Sequence, residues 1–134
     1  MRTHSFLARL GVPRGAPLLV TFYMGDEFLR PLTAAGETYS IVGDDYGTKI
    51  GLSRNEDVWS VDPERQLPRR FINTSIAHFV LFLGLYEQFK SAKETRELCL
   101  SELRTQFDEC DVFALSNEDS WWSLILEQIG LGLL

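Results

Sequence analysis

The residues of this chain that could do chemistry are few and scattered. Histidine occurs twice, at His4 and His78. Together with Ser75 and one of several acids, His78 could be assembled into a Ser/His/Asp set for acyl transfer, but such residues occur in almost any chain. No cysteine or second histidine stands at a metal-ligand spacing from His78. Asp44-Asp45 could offer carboxylate oxygens to a hard cation, although adjacent acids are also what a tight hairpin turn selects. Gly11, Gly15, Gly25, Gly36 and Gly43 are too dispersed to cradle a phosphate, and no nucleophile elbow, P-loop or dinucleotide fingerprint is present. An enzyme of this size should gather titratable groups in convergent motifs. Here the polar residues are spread over turns and helix faces, as in a binding module, so the reading is no catalytic residue, no metal and no cofactor.

The bulk properties agree. A chain of 134 residues, 45% apolar and 24% charged, makes one domain (1–134) with a core of its own. Thirteen basic residues against 19 acidic ones leave a net charge of −6. That balance argues against a nucleic-acid partner, which needs a basic face, and suits a basic protein partner. Cys99 and Cys110 fall in one expected helix, where eleven residues separate them by about 16 Å, beyond disulfide reach. They read as free thiols of a reducing compartment. The N-terminus lacks the apolar run of a signal peptide. The most apolar window, Ile76 to Tyr86, is eleven residues, too short to span a bilayer. The expected location is the cytoplasm, with no membrane contact.

The elements that would position these residues follow from period and turn chemistry. Residues 5–10 read as a short helix stopped by Gly11-Val12-Pro13, and residues 18–23 as a strand. Residues 24–36, interrupted by Pro31 and Gly36, read as irregular structure or very short strands. Strands are expected over 38–43, 48–53 and 58–62, joined by the turns Asp44-Asp45-Tyr46-Gly47 and Arg54-Asn55-Glu56-Asp57. Four-residue loops would set Tyr39, Leu52 and Trp59 in one row and Ile41, Ile50 and Val61 in the next, both on one apolar face. Ser40, Gly51, Ser60, Val42, Lys49 and Asp62 would then form the outer face, with Lys49 pairing Asp62. At residues 69–80 a brief strand (Phe71, Ile72) meets Asn73-Thr74-Ser75, oxygen-bearing residues suited to capping the helix that follows. That helix, 76–89, is apolar around most of its girth and therefore buried. A second over 91–110 carries the stripe Cys99, Leu100, Leu103, Phe107. Ser116, with Asp119 three residues on, opens a third, in which one of Trp121 and Trp122 must lean to the helix edge. The fold class is α+β: an antiparallel meander with helices mainly on one face.

The order of these elements and the residues at their joints resemble the SUKH superfamily of bacterial immunity proteins, most closely its group-four branch. The resemblance is carried by Phe6-Leu7-Ala8-Arg9-Leu10-Gly11-Val12-Pro13, by Tyr39-Ser40-Ile41-Val42-Gly43 with Ile50-Gly51-Leu52, and by Val58-Trp59-Ser60-Val61-Asp62. It is carried further by Phe71-Ile72-Asn73-Thr74-Ser75 running into Phe79, and by Trp121-Trp122-Ser123-Leu124-Ile125. Asp57 stands where the branch often has glycine. The resemblance implies a non-catalytic domain that binds and neutralises a cognate protein toxin, many such toxins acting on nucleic acids or nucleotides. The alternative is a general interaction or regulatory domain of the same fold without a toxin partner. Candidate partner contacts are Asp44, Asp45, Glu56 and Asp57 in the turns and Lys49, Ser60 and Asp62 on the outer sheet face, all exposed if the four-residue loops are right.

Overall fold

The Asp-, Asn- and Gly-bearing segments do turn the chain, and the strands fall between them. The structure, a computed structural model, describes residues 19–45, 47–64, 68–92 and 96–134; the expected helix over 5–10 lies outside them. Six strands form one antiparallel sheet: β1 (Thr21–Phe22), β2 (Arg30–Ala34), β3 (Glu37–Asp44), β4 (Lys49–Leu52), β5 (Val58–Val61) and β6 (Arg70–Asn73). Their order is β1-β3-β4-β5-β6, with β2 also paired to β3. The short strands share one long neighbour: β1 lies along Gly43 and Asp44, β2 along residues 37–41. The segment expected to be irregular thus holds a 3-10 turn (Gly25–Glu27) and a five-residue strand. Pro31 is accommodated because β2 pairs on one side, with β3, where an edge strand can spare an N–H.

The register departs from the four-residue-loop expectation. The β4–β5 connection pairs Leu52 with Val58, and Glu56 sits at a φ of 67°. Ser53 O accepts from Glu56 N, and Ser53 N donates to Asp57 O. This is a turn followed by one left-handed residue, so the conformation that favours glycine falls on Glu56 rather than on Asp57. At β3–β4, Asp44 pairs with Lys49, and the register shifts between Ile41 and Gly43, leaving Val42 unmatched. A second shift, between Val58↔Asn73 and Trp59↔Phe71, leaves Ile72 unmatched.

These shifts re-sort the faces. Val42, Ile50, Leu52, Val58 and Ile72 face the helices in the main core, whereas Tyr39, Ile41 and Val61 gather with Ala34 in a smaller cluster, joined by Tyr23, Leu32 and Trp59. The two expected rows are therefore split between faces. Gly51 stands opposite Ile41 and Trp59, and a Cβ there would come within 2.9 Å of Tyr39 Cβ, so the smaller cluster closes only over glycine.

Among the described residues three helices cover the main face: α1 (Ile76–Ser91), α2 (Arg96–Cys110) and α3 (Trp121–Gly130), with a 3-10 turn over Val112–Leu115 before the last. On α2 the expected stripe is buried at Cys99, Leu103 and Phe107 and half-buried at Leu100; α1, expected to be buried around most of its girth, buries Phe79, Val80, Phe82 and Tyr86 but exposes Leu81. Phe82 stacks on Phe107 at 4.0 Å, and Trp122 packs on both at 5.5 and 4.9 Å. Full burial of each such side chain is worth about 2–3 kcal/mol relative to exposure. Ser120, not Ser116, caps α3 by accepting from Ser123 N. Neither tryptophan of the adjacent pair leans into solvent. Trp122 points at α1 and α2 and Trp121 at Phe79 and the β3–β4 turn, two neighbours filling the 100° between them. No helix among the described residues is long and apolar enough to cross a membrane.

Candidate functional site

Three places gather polar side chains, and they differ in what those side chains are free to do. The first is the joint between β6 and α1. The extra residue in β6 leaves Ile72 and Asn73 both fully buried. Asn73 Oδ1 accepts from Trp122 Nε1 at 2.8 Å, and its Nδ2 donates to Asp111 Oδ2 at 3.0 Å. Thr74 donates to the same carboxylate through its backbone N at 2.8 Å and its Oγ1 at 2.7 Å. Only Ser75 caps α1, its Oγ accepting from His78 N at 3.2 Å and lying 2.7 Å from His78 Nδ1. The capping expected of all three residues thus belongs to one of them. Asp111, the buried acid of the joint, orients Asn73 and Thr74 rather than His78, so a Ser/His/Asp relay is not assembled here.

The second place is the β3–β4 end. Asp45 Oδ1 accepts from Thr48 N and Thr48 Oγ1, each at 2.7 Å, and Oδ2 accepts from Trp121 Nε1 at 2.9 Å. This carboxylate closes the turn and ties it to α3. Lys49, expected opposite Asp62, stands opposite Val61 and donates to Tyr23 OH at 2.6 Å, which in turn donates to Asp44 Oδ2 at 2.7 Å. Burial, then the bond to Asp44, raise the Tyr23 phenol above its ordinary value, and the bond to Tyr23 raises Lys49. Ser60 and Asp62 are not on an exposed face. They are 5% and 7% exposed, with Ser60 Oγ 2.6 Å from Thr48 Oγ1 and Asp62 Oδ1 accepting from Glu64 N. The one-residue shift turned Ser60 toward the helices. Asp44, Lys49 and Asp62 do line one depression of about 400 Å³.

The third place is a groove of about 870 Å³ along β6. One bank is the β4–β5 turn, where Asp57 Oδ1 accepts from Trp59 Nε1 at 2.8 Å and from Ser53 Oγ. Trp59 meets Phe71 edge-on at 5.2 Å and carries the Arg69 guanidinium 3.7 Å over its ring. Arg69 Nη1 donates to Glu37 Oε2 at 2.6 Å and to Tyr39 OH at 3.0 Å. The opposite bank is the 3-10 turn and the segment from it to α3, with Phe113, Asn117 and Asp119, fastened by Arg70 Nη1 to Asp119 O at 2.8 Å. Of the expected contacts, Asp57 lines this groove and Glu56 adjoins it in sequence. The two acidic turns do not share one sheet edge, since consecutive turns of a meander lie at opposite ends of the strand between them. Four residues of β4 hold them roughly 13 Å apart.

Residues 1–128 match the family model described as SUKH-4 immunity protein. The chain belongs to that family. Neither the curated proteins nor the solved structures yield a match to it. For a SUKH-4 chain the described geometry sorts the recognisable segments by duty. Ile72 to Ser75 and Trp122 serve the buried joint and Trp121 ties down the β3–β4 turn, whereas Trp59 and Phe71 face the groove. Phe113 was not singled out in the sequence, yet a signal exists: it breaks the stripe of Cys99, Leu103 and Phe107, which Ala114 continues inward.

Proposed function

We propose that this SUKH-4 protein neutralises a cognate toxin by binding it and occluding its working surface, without chemistry of its own. The family match over residues 1–128 carries this reading. The use of the polar residues supports it: Ser75, Asp111, Asn73 and Asp45 are committed to bonds that build the fold. Of the acidic turns, Glu56-Asp57 is the better contact, because Glu56 is exposed beside the groove while Asp45 is held by Thr48 and Trp121. Asp44 and Lys49 form a second, smaller contact with Tyr23 between them; Ser60 and Asp62 act by supporting it from below. An acidic protein of net charge −6 suits a basic, nucleic-acid-directed toxin encountered in the cytoplasm.

The test is co-expression with a candidate toxin domain cloned from this gene's neighbourhood. Growth restored by the intact chain is the expected result. Persistent toxicity, with the chain folded and abundant, would sink the reading.

A further inference from the structure

We propose that the groove along β6 receives a loop of the partner protein bearing a lysine or arginine beside an apolar side chain, with Phe113 as the anchor on this chain. The proposal rests on the toxin-binding reading and adds a place and a chemistry to it.

Three observations carry it. First, Phe113, on the bank of this groove of about 870 Å³, is 61% exposed, and its neighbour Val112 is 58% exposed. The ring adds little to the core, and large aromatic side chains in concave surroundings are the residues that dominate protein interfaces. Second, the groove's own cations are already used. Arg69 is held by Glu37 and Tyr39 and lies on Trp59, and Arg70 reaches the carbonyl of Asp119. Third, the acids of the rim are not. Asp119 lines the groove and Glu56 and Glu118 adjoin its lining residues in sequence; all three are exposed and form no ion pair among the described residues. An anionic visitor would meet these three carboxylates against one exposed cation of the rim among the described residues, Arg54 on the Glu56 turn. A cationic one would meet the carboxylates together with ring faces, the arrangement in which Arg69 already lies over Trp59. The volume falls within the span of ligand clefts, roughly 300–1,000 Å³. A loop, rather than a flat face, is therefore what enters.

The experiment measures the affinity of a purified toxin domain, one whose toxicity this protein relieves on co-expression, for the intact protein and its variants. Phe113→Ala is expected to weaken binding at least tenfold with an unchanged thermal midpoint, since the ring is outside the core. The double variant Glu118→Lys/Asp119→Lys is expected to do the same, with a loss that grows as salt is lowered. Leu81→Ala, an exposed apolar residue on α1, should bind within twofold of the intact protein. Groove variants that bind as tightly as the intact protein would overturn the docking site, and tighter binding by the double lysine variant would overturn the cationic occupant. If the intact protein itself does not bind, the toxin-binding reading falls, and this proposal with it.

Discussion

The buried joint and the groove lie on either side of β6 and are built from the same materials: tryptophan, phenylalanine, a carboxylate and a neighbouring amide or guanidinium. In the joint, Asp111 accepts three hydrogen bonds and Trp122 donates to Asn73, all at the foot of the core. In the groove, Trp59 is also held by a carboxylate, Asp57, but one side of the assembly stays open and the outermost acids are uncommitted. A buried carboxylate must be satisfied by its own chain, so it becomes part of the fold. An exposed one is kept satisfied by water and can exchange that water for a partner. Composition is shared; enclosure separates structure from binding.

Breaking the joint should show the larger effect on stability. Asp111→Ala removes three bonds to a charged acceptor and strands the buried Asn73 Nδ2, while the exposed Thr74 turns its donors to water. A loss of about 3–4 kcal/mol is expected, read by urea unfolding. A loss below about 1 kcal/mol would mean that water replaces the carboxylate and that the joint is not closed. Asn73→Ala should cost about 2 kcal/mol, more than a lost cap would, because Trp122 Nε1 and Asp111 both lose a partner. The same measurement discriminates the two roles, a value near 0.5 kcal/mol favouring the cap.

The other side of β6 responds differently. Glu56→Gly relieves a left-handed residue at an exposed turn and should stabilise by roughly 0.5–1 kcal/mol. A destabilised variant would show that the glutamate side chain braces the turn. Phe113→Ala should change stability by no more than about 0.5 kcal/mol while removing partner affinity, the reverse of the Asp111 phenotype. Joined to the groove through Arg69 is Tyr39, whose phenol is raised above the ordinary value of 10.0 first by burial, against the opposing bond from Arg69. A raised folded-state value means a stabilising contribution present below pH 10.0 and lost as pH climbs through the folded value. Alkaline unfolding should therefore soften in Tyr39→Phe, followed by the midpoint against pH. An identical alkaline slope in both proteins would remove Tyr39 from the account.

Element types, their order, the turns and the helix stripes were legible in the amino-acid sequence, because each depends on interactions within a few residues: turn-forming Asp, Asn and Gly, period 2 against period 3.6, and capping oxygens near helix starts. The opposite placement of the two acidic turns was legible too, being a property of any meander, although the expected contact surface overlooked it. What only the tertiary structure decided was registration. The five-residue β4–β5 connection moved Ser60 inward and, with the unmatched residue at Val42, split the two apolar rows between faces, while the unmatched Ile72 leaves Asn73 turned to Trp122. Bulges of this kind have no reliable local signature, since the extra residue is tolerated or rejected by what packs above it. The same reason governs the carboxylates. Asp45 and Glu56 both stand in turns rich in polar residues; Thr48 engages one Asp45 oxygen locally, Trp121 from 76 residues away takes the other, and no such arrival meets Glu56.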